Sequence, residues 1–372
     1  MYIVIVHRKA VILLSRQPLR PNGRTAWIQR TVEAVQWVRN QNLSLVTSIG
    51  MQTWEFLTAL AAEFYLKQEV LIPVIDEQSF HQDIEWTKEQ FSLKVDRTSF
   101  MPVFPLDNDK PRDLPVRRDR AAVEIADVVI PVSIKPRGNM ERLVEEALTS
   151  GKEINSTFAA TYKPRADRLK YEIDRHNLNP EIDTIGNRYL IHWTRSSNGV
   201  WPDERQIKYW RAVLNSKEYP RGALYTLQHI LSTKTIIGST RHMPGKIASV
   251  SFSGLVLREA LTLMRWRTRY HEMSFEPYGI GLERGYALTN GVAKVKYVDS
   301  LSQPEQQTPD FWCYQSQGRK ADWRSEEEYR FRGNFDLGSV PSSKMIVFCY
   351  RSDEAAFLES TTGIKTISIL NE

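Results

Sequence analysis

Asp322-Trp323-Arg324-Ser325-Glu326-Glu327-Glu328-Tyr329-Arg330-Phe331 sets two carboxylates, Glu326 and Glu328, two residues apart in a run bracketed by Trp, Tyr and Phe. As a strand, with side chains alternating between faces, this run puts Glu326 and Glu328 on one face and Glu327 and Tyr329 on the other. Two acids side by side are costly unless they hold a cation-like or hydroxyl-rich ligand. One chemistry that uses such a pair is cleavage of a nicotinamide N-glycosidic bond. One acid then holds ribose hydroxyls and the ring-side charge, and the other steers the acceptor. Ser-Glu-Glu-Glu-Tyr-Arg is also good helix sequence, so a solvated helix of mixed charge is the competing reading.

The surroundings favour the strand. Arg188-Tyr189-Leu190-Ile191-His192-Trp193-Thr194-Arg195 alternates, with Tyr189, Ile191, Trp193 and Arg195 on one face and Leu190, His192 and Thr194 on the other. Residues 202–215 and 222–232 read as helices, Ile247–Ser253 as a strand, and Leu257–Tyr270 as a helix containing Trp266. Tyr278–Leu282, Ala293–Val298 and Met345–Tyr350 complete a set of short strands with few helices between them, the signature of an α+β domain. Residues 164–187, charged and broken by Pro164, Asn177 and Pro180, read as a helical connector.

The first 163 residues alternate differently. Strands are expected at Ala10–Arg16, Leu43–Ser48, Val70–Ile75 and Ile125–Ser133, with helices at about 25–40, 53–67 and 139–148, a last short strand after Gly151-Lys152, and a loop-rich stretch between Ile75 and Ile125. The N-terminal Met1–Val6 also reads as a strand rather than a signal peptide, because basic residues follow the apolar run. Strands alternating with helices imply an α/β Rossmannoid with a mostly parallel sheet. A strand, a small-residue turn and a helix start, as at Ser48-Ile49-Gly50-Met51-Gln52-Thr53, expose backbone N–H groups to phosphate.

Two resemblances follow from these motifs. Ser15-Arg16, Ser48-Ile49-Gly50-Met51-Gln52-Thr53-Trp54-Glu55 and Ala126-Asp127-Val128-Val129-Ile130-Pro131-Val132 make residues 1–163 resemble the SLOG superfamily. That superfamily includes DNA-processing-protein-A-like and lysine-decarboxylase-like members, and nucleotide-sensing domains of bacterial conflict systems. The ribohydrolase branch carries Pro-Gly-Gly-x-Gly-Thr-x-x-Glu; here Gly50, Thr53 and Glu55 echo it without the double glycine, which favours ligand binding over catalysis. The resemblance implies a nucleotide site at Arg16, Ser48, Gly50, Thr53, Glu55, Asp119 and Arg120. Glu55 has a competing role, as an acid favoured in the first turn of its helix.

The order His192-Trp193-Thr194, Val250-Ser251-Phe252-Ser253, Tyr278-Gly279-Ile280 and Trp323-x-x-Glu326-x-Glu328-Tyr329-Arg330 resembles ADP-ribosyltransferase-like bacterial domains over residues 188–372. It implies NAD as substrate, with Glu326 or Glu328 as the catalytic acid and His192 and Thr194 at the nicotinamide ribose; Glu328 is the preferred acid because Tyr329-Arg330 continue the strand after it, which leaves Glu326 to steer the acceptor. Ser251 and Ser253 would support the ring pocket, Arg195 and Arg241 would meet the diphosphate, and Tyr278 or Trp266 would stack on nicotinamide. Structural roles compete for several of these: His192 as a core histidine, Ser251 and Ser253 as strand-end hydrogen-bonding groups.

Composition bounds the partners. The chain of 372 residues carries a formal charge of +6, and its first acid, Glu33, follows Arg8, Lys9, Arg16, Arg20, Arg24 and Arg30. Such patches favour phosphate-bearing ligands, nucleotide, DNA or RNA. Cys313 and Cys349 have no zinc-type spacing, so neither a disulfide framework nor a metal site is expected, and the cytoplasm is the natural compartment. No apolar run approaches the roughly 18 residues needed to span a membrane. The expectation is an NAD-consuming effector, transferase or glycohydrolase, coupled to a sensing domain, with a place in antiviral or toxin-type defence by analogy. Two alternatives stay open: a nucleotide N-glycosidase using the N-terminal domain, and a non-enzymatic nucleotide- or nucleic-acid-binding regulator. Homo-oligomerisation is also open.

Overall fold

Five consecutive apolar residues, Ala10 to Leu14, need cover on both faces, and the chain places them at the centre of a parallel sheet with all five buried. The structure is a computed structural model describing residues 8–106, 110, 112–163, 168–268, 270–298, 308–316 and 326–371. The expected N-terminal strand at Met1–Val6 lies outside the described residues.

The order begins β1 (Lys9–Leu14), α1 (Ala26–Asn40), β2 (Ser44–Ser48), α2 (Gln52–Glu63), β3 (Gln68–Pro73), α3 (Glu77–Phe91), β4 (Thr98–Val103), α4 (Leu114–Ile125), β5 (Val128–Ser133), α5 (Asn139–Thr149) and β6 (Glu153–Ile154). It continues with α6 (Glu181–Ile185), β7 (Tyr189–Trp193), α7 (Gln206–Asn215), α8 (Ala223–Thr233), β8 (Thr235–Ile236), β9 (Ser249–Ser253), α9 (Leu257–Thr262), β10 (Trp266–Arg267) and β11 (Glu272–Met273). Next come β12 (Gly279–Glu283), α10 (Arg284–Thr289), β13 (Ala293–Lys294), β14 (Lys296–Val298), β15 (Tyr314–Ser316) and β16 (Glu328–Arg332). The chain ends with β17 (Phe335–Asp336), β18 (Met345–Cys349), α11 (Ser352–Thr362) and β19 (Thr366–Ser368).

Two compact units result: Met1–Asp167 with Asn198–Pro220, and Arg168–Ser197 with Arg221–Glu372. In the first, among the described residues, six strands pair in parallel in the order β4-β3-β2-β1-β5-β6, an α/β sheet. In the second, seven strands run β13-β16-β9-β7-β12-β18-β19, antiparallel except for β18–β19, an α+β layout.

Four features differ from expectation. Residues 168–187, expected within a helical connector, belong to the second unit and are helical over Arg175–Asn177 and Glu181–Ile185 alone. Residues 198–220 pack with the first unit although they fall inside the expected second domain. The reason is α2, which buries eight of its twelve residues and so needs cover on its outer face as well. Helix α7 supplies that cover, with Trp210 against Phe56 at 4.8 Å between ring centroids. The stretch between Ile75 and Ile125, expected as loop, holds α3, β4 and α4. Helix α3 starts where Asp76 accepts from the Ser79 N–H, yet buries only Thr87 and Phe91, so its apolar stripe is faint. The expected helix over Leu257–Tyr270 stops at Thr262. Trp266 and Arg267 pair instead with Met273 and Glu272 in a hairpin, closed by the Ser274 N–H on the Arg265 carbonyl.

Candidate active site

The site in the second unit begins with a parting of strands. Strand β9 pairs with β16 along its length, from Glu328 opposite Ser253 to Arg332 opposite Ser249. With β7 it shares one pair, Ile191 opposite Ser253. Beyond that pair the imidazole of His192 fills the gap, its Nδ1 2.9 Å from the Ser251 carbonyl oxygen. A carbonyl only accepts, so Nδ1 carries the hydrogen and Nε2 of the neutral ring keeps its lone pair. Burial, with Arg195 acting in the same sense against the Ser251 carbonyl, holds the ring below its ordinary value and therefore neutral at pH 7.

A cleft of about 540 Å³ opens here, lined by His192, Ser251, Ser253, Glu326 and Glu328, together with Arg195, Arg241, Arg267, Glu272 and Arg330. Glu328 is firmly held. Its Oε1 accepts from Ser251 Oγ at 2.8 Å and from Arg330 Nε at 2.9 Å, and its Oε2 from Arg330 Nη2 at 3.0 Å. Glu326 enters differently. Glu327 adopts φ of +42°, its carbonyl accepting from the Gly254 N–H, and the strand begins only at Glu328. The two acids therefore meet in one cleft without sharing a strand face: the kink, not alternation, delivers Glu326. Burial and then the Glu328 charge push the Glu326 carboxyl up, against Arg267 and Arg265. Tyr297 stands near both acids; burial and their charges raise its phenol above the tyrosine range.

Arg195 and Arg241 line the cleft, and both donate to one carboxylate, Glu272, at 3.1 Å each. Arg267 lies over the Tyr270 ring at 4.6 Å and makes no ion pair among the described residues. Trp193 and Phe275 stack at 5.7 Å with planes 15° apart along the same cleft. Three expected residues lie elsewhere. Tyr278 is buried in the core, its hydroxyl donating to Glu354 at 3.0 Å, and Thr194 is buried with Oγ1 donating to the Tyr278 carbonyl at 3.1 Å. Trp266, in its hairpin, does not line the cleft.

Sequence reasoning missed Arg330, Glu272, Arg267 and Tyr270. For Arg330 a signal was present, since it follows Glu328 by two residues on a strand and so shares its face. For Glu272 there was none.

In the first unit, Ser48, Gly50, Thr53 and Glu55 gather where β2 meets α2. Ser48 Oγ donates to the Leu71 carbonyl at 2.6 Å, and Gly50 sits at φ of +81°, a backbone most side chains resist. The Thr53 hydroxyl is buried without a partner among the described residues. Burial raises the Glu55 carboxyl, opposed by the Gly50 N–H and by Arg118. Asp119 is not free for a ligand. It accepts from buried Arg118 at 2.7 Å and from Trp54 Nε1 at 2.9 Å, while Arg118 Nη1 donates to the Ile49 carbonyl at 2.9 Å. Arg120, on another face of α4, pairs with Glu146 at 3.1 Å; Arg16 is exposed. The guanidinium at the turn is thus Arg118, a strut of the loop.

Among the described residues no cluster of His, Cys, Asp and Glu suits a metal ion, and no helix is long and apolar enough to cross a membrane. No family model and no curated protein matches the chain. Among solved structures it is similar to DNA processing protein A from Streptococcus pneumoniae, at 14% identity and a TM-score of 0.29, over 40% of this chain and 49% of that one. The chain thus matches about half the length of that protein, and a likeness so slight carries no argument about fold or activity.

Proposed function

We propose that the second unit consumes NAD, breaking the bond between nicotinamide and ribose and passing ADP-ribose to water or another acceptor. The observation that supports it is the convergence in one cleft of Glu328, fixed by Ser251, with Glu326 and a neutral His192. When the C1′–N1 bond breaks, its electron pair leaves with nicotinamide, which departs neutral, and positive charge develops on the ribose. Glu328 supplies the carboxylate that stabilises that charge and orders a ribose hydroxyl. The acceptor oxygen attacks C1′ and gives up its proton to Glu326, whose burial suits it to hold one. His192 Nε2 accepts from a ribose hydroxyl.

The first unit serves in this reading as the sensor of a nucleotide or nucleic acid, supported by the Thr53 hydroxyl, without a partner among the described residues, beside an α2 start that carries no side-chain cap. A role in bacterial antiviral or toxin-type defence rests on the analogy of that pairing alone. The test is pure full-length protein with NAD, alone and with DNA or RNA, followed by chromatography for free nicotinamide. Release is expected in at least one condition, and no release in any of them refutes the reading.

A further inference from the structure

The guanidinium of Arg330 uses all five of its N–H donors inside the second unit. Nε donates to Glu328 Oε1, and Nη2 to Glu328 Oε2 and to Gln315 Oε1 at 2.7 Å. Nη1 donates to the carbonyls of Trp312 at 3.1 Å and Tyr314 at 3.4 Å. The residue is 2% exposed, so no water competes for these bonds. A planar fork held on its far side by two backbone carbonyls cannot turn without breaking several bonds together, and it imposes its plane on the carboxylate it grips.

From this geometry we infer that Arg330 is the positioning residue of the proposed NAD site. It locks Glu328 so that Oε2, rather than Oε1, faces the substrate. The inference rests on the reading of the cleft given above. Oε1 already accepts two hydrogen bonds, from Ser251 and Arg330 Nε, whereas Oε2 accepts one. An ionised carboxylate oxygen has room for about two acceptor bonds, so the capacity left for a ribose hydroxyl lies on Oε2. The Arg330 charge has a second consequence, since it lets Glu328 stand beside Glu326 in one cleft without two uncompensated anions.

The role is separable from that of a mere strut. In Arg330→Lys the charge stays but the fork is lost, because an ammonium is a point charge on a flexible stem. The expected result is NAD binding within about threefold of wild type by calorimetry, with kcat for nicotinamide release down by about a hundredfold, the scale of a misplacement near 1 Å. In Arg330→Ala, guanidinium at concentrations well below denaturing is expected to restore part of kcat, and to restore nothing in Glu328→Ala. A crystal structure of Arg330→Lys supplies a readout that needs no activity, with the Glu328 carboxylate expected beyond about 3.5 Å from Ser251 Oγ. Wild-type kcat in Arg330→Lys, or a Glu328–Ser251 bond unchanged in its crystal structure, overturns the inference. A wild-type protein that releases no nicotinamide brings down the proposed function instead, and the crystal structure then decides the positioning claim alone.

Discussion

Replacing Glu328 by Gln changes size hardly at all, yet the structure makes it a severe substitution. Three donors converge on the carboxylate, one from Ser251 and two from Arg330, and an amide offers a single oxygen to receive them. Whichever way the amide turns, its NH2 meets an N–H of the Arg330 fork. The guanidinium, 2% exposed, is then buried without its counter-charge. Removing one partner of such a buried pair costs about 3–5 kcal/mol. For a unit of this size, at roughly 2–4 °C per kcal/mol, the melting temperature should fall by about 10 °C. Scanning calorimetry of the full chain checks this, and only the transition of the second unit should move. The double variant Glu328→Gln/Arg330→Met, which removes the buried charge as well, should recover most of the loss without recovering nicotinamide release. A Glu328→Gln protein melting within about 1 °C of wild type would show that Glu328 is not what balances Arg330, and would refute the account of the site.

Tyr278→Phe should cost about 1–2 kcal/mol through loss of the hydroxyl bond to Glu354 and leave NAD affinity unchanged in titration calorimetry; a weakened affinity at full stability would return that ring to the cleft. Glu326 holds its proton more tightly folded than its ordinary value of 4.5 allows unfolded, so its contribution to stability is present below pH 4.5 and lost as pH rises through the raised value. Glu326→Gln should therefore melt higher than wild type at neutral pH, with an advantage that fades as pH drops toward 4.5; thermal unfolding across that range, with a gain of constant size or of opposite sign, would contradict it.

Much of the first unit was legible because strands buried on both faces read as unbroken apolar runs, as Ala10–Leu14 and Val128–Ile130 do. Strand β4 escaped for the opposite reason. Among the described residues it pairs with β3 alone, and it is mostly half-buried and carries Pro102, so nothing in Thr98–Val103 reads as a core strand. In the second unit, period-two alternation put His192 and Ile191 on opposite faces of their strand, while the link between Glu328 and Ser251 came from the resemblance and not from alternation. Alternation names a face of a strand, not which end of it lies open. Thr194 and Tyr278 therefore fall under the cover of α8 and α11, through the Ala223 carbonyl and Glu354. The ion pairing of Arg195 and Arg241 was out of reach, because the carboxylate they share stands 77 and 31 residues further along.

That shared carboxylate bears on which ligand the cleft suits. Four arginines and three glutamates line it, and most are already spent on one another: Arg195 and Arg241 on Glu272, and Arg330 on Glu328. Among the described residues Arg267 and Glu326 stay without an ion pair, and the two arginines that share Glu272 keep one further positive charge between them. A ligand with negative charge alone, such as a nucleic-acid backbone, would meet this positive charge but leave the Glu326 carboxylate without a partner. A ligand that carries a diphosphate at one point and a cationic ring at another meets a partner for each. The NAD reading therefore gives the Glu326 carboxylate a partner that the non-enzymatic nucleic-acid reading does not. Arg267→Ala separates the two, since it should weaken NAD binding and leave nucleic-acid binding, wherever that occurs, as it was.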